Sequence, residues 1–202
     1  MRSRLRFLPI LLLCLSLVAA SSIAGATNRS NNKGTILNVL VNTDGAQALV
    51  AAVLVVDESQ VLDFSLAELL GDRRAELVLF APSNPAFEDL LGLDPGTLDG
   101  LSIDQVKEAL PGLLPDGVGP NEVASILLKH AGIVRKANRS TVSDRALLSI
   151  GSVTVADGSE FPISIGATGV TVNRETTIIR PNLRTRNGFI HFVDTVILDD
   201  LL

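Results

Sequence analysis

The sequence predicts an α+β domain with a largely helical half followed by a strand-rich half. Three observations carry this. Residues 35–130 hold apolar runs of helical length, punctuated by capping residues. From residue 134 onward the pattern changes to apolar–polar alternation, with Asp157-Gly158 and Asn187-Gly188 as tight-hairpin signals. Apolar residues make up 47% and charged residues 19% of the 202, which rules out a disordered composition and allows a sizeable core. The 16 glycines are scattered without a three-residue period, which excludes a collagen-like chain.

Residues 1–26 read as a secretory signal. Arg2, Arg4 and Arg6 supply the charged start, Leu8 to Ala20 the apolar stretch, and Ala24-Gly25-Ala26 the small residues of a cleavage site. An earlier cut after Ala20 is the second choice. The apolar stretch is short against the about 20 residues of a bilayer span, so cleavage is expected, with no stable membrane insertion afterwards. Residues 27–34 are polar and turn-rich, and a disordered leader is expected there. The domain proper is placed at 35–202. Asn28 and Asn138 each open a glycosylation sequon, relevant in a host that glycosylates secreted chains.

The elements follow in order. Thr35 can cap a short helix through Asn42. Residues 46–56 are nearly all apolar, and the unbroken part, Ala48 to Val56, is nine residues long. That suits a buried core helix and is too short for a membrane span. Leu62 to Leu70 predicts another short helix. Glu76 to Phe80 predicts a buried strand. Asn84 before Pro85 reads as a cap followed by proline at the first helical position, which puts Glu88 and Asp89 in the first turn. Ser102 to Leu110 and Asn121 to His130 predict two more helices, the second ending at Gly132. Strands are predicted over Ser152–Ala156, Pro162–Ile165 and Val170–Asn173. A last pair, near Thr176–Ile179 and Phe189–Leu198, is joined through Asn187-Gly188.

Composition narrows the function. The only cysteine, Cys14, lies in the signal, so the processed chain has no disulfide and no thiolate metal site. Trp and Tyr are absent, which leaves Leu, Phe, Arg and backbone groups to form any interface. The net charge is −5; losing Arg2, Arg4 and Arg6 leaves 14 Lys+Arg against 22 Asp+Glu, a charge of −8. An acidic domain repels phosphate backbones, so no nucleic-acid partner is expected.

Two blocks carry a resemblance. Leu79-Phe80-Ala81-Pro82-Ser83-Asn84-Pro85-Ala86-Phe87 and Asn187-Gly188-Phe189-Ile190-His191-Phe192-Val193-Asp194-Thr195-Val196-Ile197-Leu198 resemble the strand-to-helix and closing blocks of the fasciclin (FAS1) family. Between them, Leu127-Leu128-Lys129-His130 is similar to that family's Leu-Leu-x-Tyr-His helix end. Order and spacing also fit, from about residue 35 to 200. The resemblance implies a β-sandwich or wedge packed on a layer of short helices, an adhesion or matrix-type binding role outside the cytoplasm, and no catalytic centre. The residue chemistry agrees: Asn84 caps, Phe80 and Phe87 fill the core, and Asn187-Gly188 turns. Two departures stand out. Lys129 occupies the usual Tyr position. Asn182, within Ile179-Arg180-Pro181-Asn182-Leu183, replaces the acid that in some animal members would reach an integrin's metal, and no Arg-Gly-Asp triplet is present; both argue against integrin binding.

No catalytic pattern emerges. His130 and His191 lie 61 positions apart in separate elements, with no HExxH, and read as hydrogen-bonded structural histidines. There is no Gly-x-Ser-x-Gly elbow and no phosphate loop. Glu88-Asp89 and Asp199-Asp200 are adjacent pairs that do not share a face. Asp94, Asp99 and Asp104 are spaced too widely for a calcium loop. No cofactor or metal is expected. The one basic cluster is Arg180, Arg184 and Arg186, with Arg174 nearby. It suits an acidic polysaccharide or a carboxylate on a protein partner, and equally a charged edge that blunts strand pairing. The reading is a secreted (extracellular, or periplasmic in a bacterium) non-enzymatic binding module. Its partner surface is Arg180, Pro181, Asn182, Leu183, Arg184 and Arg186, and its partner an extracellular or envelope protein or acidic polysaccharide. The alternatives are a cell-wall-directed hydrolase or lyase and a periplasmic structural or signalling partner.

Overall fold

Thr35 accepts a hydrogen bond from the Asn38 N–H and so opens α1 (Ile36–Val41), with Asn42 closing it as expected. These details come from a computed structural model that describes residues 34–133, 148, 151–166 and 169–198. The expected signal, both sequons, Cys14 and Asp199-Asp200 fall outside the described residues, as does the expected leader apart from Gly34.

The apolar run becomes α2 (Gln47–Ser59), buried along Ala48–Val53 and at Val56. α3 (Leu66–Gly71) starts four residues later than the apolar pattern suggests. The reason is local: Ser65 caps it, and the Asp57 carboxylate at the end of α2 accepts from Ser65 Oγ (2.7 Å), Leu66 N–H (2.8 Å) and Ala67 N–H (3.0 Å). β1 (Leu77–Pro82) is buried throughout. It leads into α4 (Asn84–Leu91), and α5 (Ile103–Leu113) follows behind a Ser102–Gln105 capping box. α6 (Pro120–His130) begins where the Glu122 carboxylate accepts the Gly119 N–H at 2.8 Å. It passes directly into β2 (Ala131–Ile133) without a glycine cap. Gly132 is instead a strand residue in a tight place: a Cβ there would lie 3.1 Å from Val153 Cγ2 and 3.3 Å from the Val78 carbonyl.

The second half supplies β3 (Ser152–Thr154), β4 (Glu160–Ile165), β5 (Val170–Val172), β6 (Thr176–Arg184) and β7 (Gly188–Val193). The strand order is β2-β1-β7-β6-β5-β4-β3. β1 and β7 run parallel; every other pairing is antiparallel. A bridge from Gly132 to Val155, with Ala156 N–H donating to the Ala131 carbonyl at 2.8 Å, brings the two ends of the sheet together. The sheet thus curls over its own interior.

β1 and β7 have two buried faces, and period-two alternation sorts their side chains between two cores. Leu77, Leu79, Ala81, Ile190 and Phe192 join the helices in the larger core. Val78, Phe80 and Val193 join Phe161, Ile163, Val172 and Ile178 inside the curled sheet. The α+β expectation of a β-wedge on a layer of short helices is met. The last predicted strand ends at Val193 instead of Leu198, because Asp194 turns aside to pair with Thr177 through both its backbone N–H and its carboxylate (3.1 and 2.7 Å).

Candidate functional site

Three polar side chains of the two motif blocks, Asn84, Asn187 and His191, are buried, and each is used by the fold. Asn84 is 1% exposed and does not cap its own helix; it is the first residue of α4, with Ser83 before it. Its Oδ1 accepts the Ala48 N–H (3.2 Å) and its Nδ2 donates to Gln47 Oε1 (3.0 Å), so it caps the distant α2, whose own Ala46 offers no side-chain oxygen. Asn187 does the same for α1. Its Oδ1 accepts the Ile36 N–H (2.8 Å), while Nδ2 donates to the Leu70 (3.1 Å) and Asp72 (2.8 Å) carbonyls at the end of α3. The expected Asn-Gly turn therefore has another design. Thr185 pairs with Gly188 across Arg186-Asn187, neither of which has the positive φ of a primed turn. Gly188 is required for packing: at φ +154° its missing Cβ would sit 1.8 Å from the Leu77 carbonyl oxygen.

Glu88 likewise departs from expectation. It lies beyond the first turn of α4, is 2% exposed, and its carboxylate accepts the N–H groups of Gly96 (2.9 Å) and Leu98 (2.7 Å). It shapes the loop before α5, a task beyond the helix-dipole role that its position in the sequence predicts. No local signal marks the Asn84, Asn187 and Glu88 partners, since all lie at non-helical separations that only the tertiary fold brings close.

Both histidines are buried. His130 Nδ1 lies 2.7 Å from the Ile126 carbonyl, and Nε2 accepts the Ile197 N–H at 3.0 Å. A carbonyl only accepts and an amide only donates, so the ring is neutral with its proton on Nδ1. Burial pushes its pKa from 6.5 down to about 4, against a raising contribution from the Ile126 carbonyl. His191 stacks on Phe80 at 5.9 Å between ring centroids, and its Nδ1 accepts the Asn182 N–H at 3.4 Å. Lys129, in the position where the family usually has Tyr, pairs with Asp157 of the β3–β4 turn at 3.2 Å. Burial raises the Asp157 carboxyl, but hydrogen bonds from Ser159 and the Lys129 ammonium outweigh it and hold the group below its ordinary value.

A small cavity of about 30 Å³ lies among α2, α4, α5 and α6, lined only by apolar side chains such as Phe87, Leu110 and Leu127. Among the described residues no three His, Cys, Asp or Glu side chains gather as a metal site, and no helix is long and apolar enough to cross a membrane.

The basic segment differs from all of this. It is part of β6 and not a loop: Ile179 to Asn182 and Arg184 are exposed, with Leu183 half-buried. The pairing with β7 slips between Ile178 and Arg180 and again between Arg180 and Leu183, and Asn182 sits in the left-handed region at φ 63°. The register puts Arg180 beside Phe192, with the guanidinium 5.8 Å from the ring centroid, on the helix-facing side. Arg184 pairs with Phe189, on the other side. Arg186 follows in the turn, its N–H donating to the Gly34 carbonyl at 2.9 Å. The three arginines therefore line one strand and its turn without sharing a face.

The chain matches the Fasciclin domain family over residues 44–199. A solved structure titled as a FAS1 domain pair from the insect cell adhesion molecule Fasciclin I is similar, at a TM-score of 0.57 and 14% identity, over 84% of this chain and 52% of that one. The chain thus spans about half the length of that pair. A search of curated proteins returns no match. With the family matched across most of its length and the fold shared, the chain belongs to the fasciclin domain family.

Proposed function

We propose that this domain is a secreted, non-enzymatic binding module with an adhesion or matrix- or envelope-interaction role. Its contact surface is the Arg180–Arg186 segment and its partner is acidic. The observation that carries this is the contrast in burial: Asn84, Asn187 and His191 of the motif blocks are enclosed, while Arg180 and Arg184 stand exposed on a bulged strand. A bulge re-aims side chains and discourages strand pairing, so contact is made through guanidinium groups on carboxylates or sulfates. The similarity to a domain pair from a cell adhesion molecule supports the adhesive class. The arginine pattern favours an acidic polysaccharide or acidic protein surface, and Asn182 disfavours an integrin.

The test measures binding of the domain to immobilised carboxylated and sulfated polysaccharides across a salt series. Binding that weakens steeply from low to physiological salt is expected, since exposed charges are screened over about 8 Å there. Salt-independent binding, or none to any polyanion or acidic envelope protein, overturns the reading. Export is checked separately: the exported protein should begin at Thr27, and recovery of an intact Met1 removes the secretory part of the proposal.

A further inference from the structure

His130 joins the end of α6 to the segment that closes the fold. That segment, Thr195–Leu198, leaves β7 and places Val196 in the helix-facing core and Ile197 in the sheet-enclosed core. Asp194 anchors its beginning on Thr177, and the Ile197 N–H donates to His130 Nε2 further along. The imidazole, 1% exposed, is satisfied on both nitrogens only in its neutral form.

We propose that His130 is an acid-sensitive latch: protonation at Nε2 releases the Thr195–Leu198 segment and opens the seam between the two cores while the β1–β7 centre stays folded.

The chemistry follows from the two bonds. A second proton on Nε2 points at the Ile197 N–H, so the acceptor is lost and two donors face each other. The cation would also be enclosed among apolar neighbours, with Lys129 beside it adding repulsion. The charged groups around the site are few. On α6 itself Lys129 is held by Asp157 from the β3–β4 turn, and on the closing segment Asp194 is engaged by Thr177. Neither β1 nor β2, both packed on α6, carries a charged residue, and the acids of α2, Asp57 and Glu58, bond to the start of α3 and to Lys107. No carboxylate among these is placed to neutralise a protonated ring. Relief comes by opening, which returns the ring and the Ile197 amide to water.

The sign is fixed by the direction of the shift. A histidine held low in the closed state favours closure above the free value of 6.5 and loses that contribution as pH falls towards about 4. Over that window the opening equilibrium should rise by roughly a hundredfold.

The experiment is amide hydrogen exchange of the processed domain between pH 7 and pH 4, corrected for the intrinsic pH dependence of exchange. Protection at Ile197 should fall by about a hundredfold while protection at Val78 and Ile190 stays unchanged. His130→Gln, which does not titrate in this range, should abolish the selective response. Should that variant not fold, the ring signal of His130 in the wild type decides. A ring that titrates near 6.5 in the closed protein overturns the proposal. So does loss of Ile197 protection only in step with the β1–β7 centre, or a selective response that persists in His130→Gln.

Discussion

Two regions of the molecule treat their most distinctive polar side chains in opposite ways. In the β1–α4 and β7 blocks and at the end of α6, Asn84, Asn187, His191 and His130 are all at most 3% exposed and bonded to backbone amides or carbonyls from other elements. In β6, Arg180, Asn182 and Arg184 are exposed on a strand whose pairing slips twice. The lesson is that the residues marking the family here are joints of the fold, holding helix ends to strands. The surface proposed to meet a partner is a neighbouring strand with a weaker sequence signature.

The sharpest way to break this comparison is at Gly188. A Cβ there meets the Leu77 carbonyl at 1.8 Å, at a φ that side chains avoid, so Gly188→Ala should cost at least about 4 kcal/mol or prevent folding. Soluble expression and thermal melting check it. Asn187→Ala comes next. It removes the acceptor of the Ile36 N–H at the start of α1 and leaves the Leu70 and Asp72 carbonyls without their donor, for about 3 kcal/mol in denaturant unfolding. Asn84→Ala removes one amide cap and one side-chain bond, and about 2 kcal/mol is expected. The smallest effect belongs to the Lys129–Asp157 pair, whose partners keep some solvent contact. Lys129→Met should lower stability by less than about 1 kcal/mol, with the difference from wild type shrinking further in acid as Asp157 protonates.

Much of the fold was legible because it is written locally. Thr35 caps the helix that it immediately precedes, Ser102 marks the start of α5, and alternation over β3 and β4 reports which face is buried. The misreadings share one cause. Asn84, Glu88 and Asn187 stand where local rules give them a local task, as cap, dipole acid and turn. In the folded chain each is spent on a partner 8 to 151 residues away. Distance along the chain hides such partners from any window of sequence. The arginine cluster was visible as a cluster, but its division between two sheet faces depends on the β6 slips, which no residue pattern announces.

The central claim is that folding and binding use separate residues. It is tested most directly by measuring melting and salt-dependent polyanion binding together, on the wild type, Asn84→Ala, and the triple variant Arg180→Ser, Arg184→Ser and Arg186→Ser. The account predicts that the triple variant stays folded, giving up the contact of Arg180 with Phe192, and binds at least tenfold more weakly. It predicts the reverse for Asn84→Ala, which should lose stability and keep its affinity while folded. A folded triple variant with full affinity, or a folded Asn84→Ala that no longer binds, would contradict it.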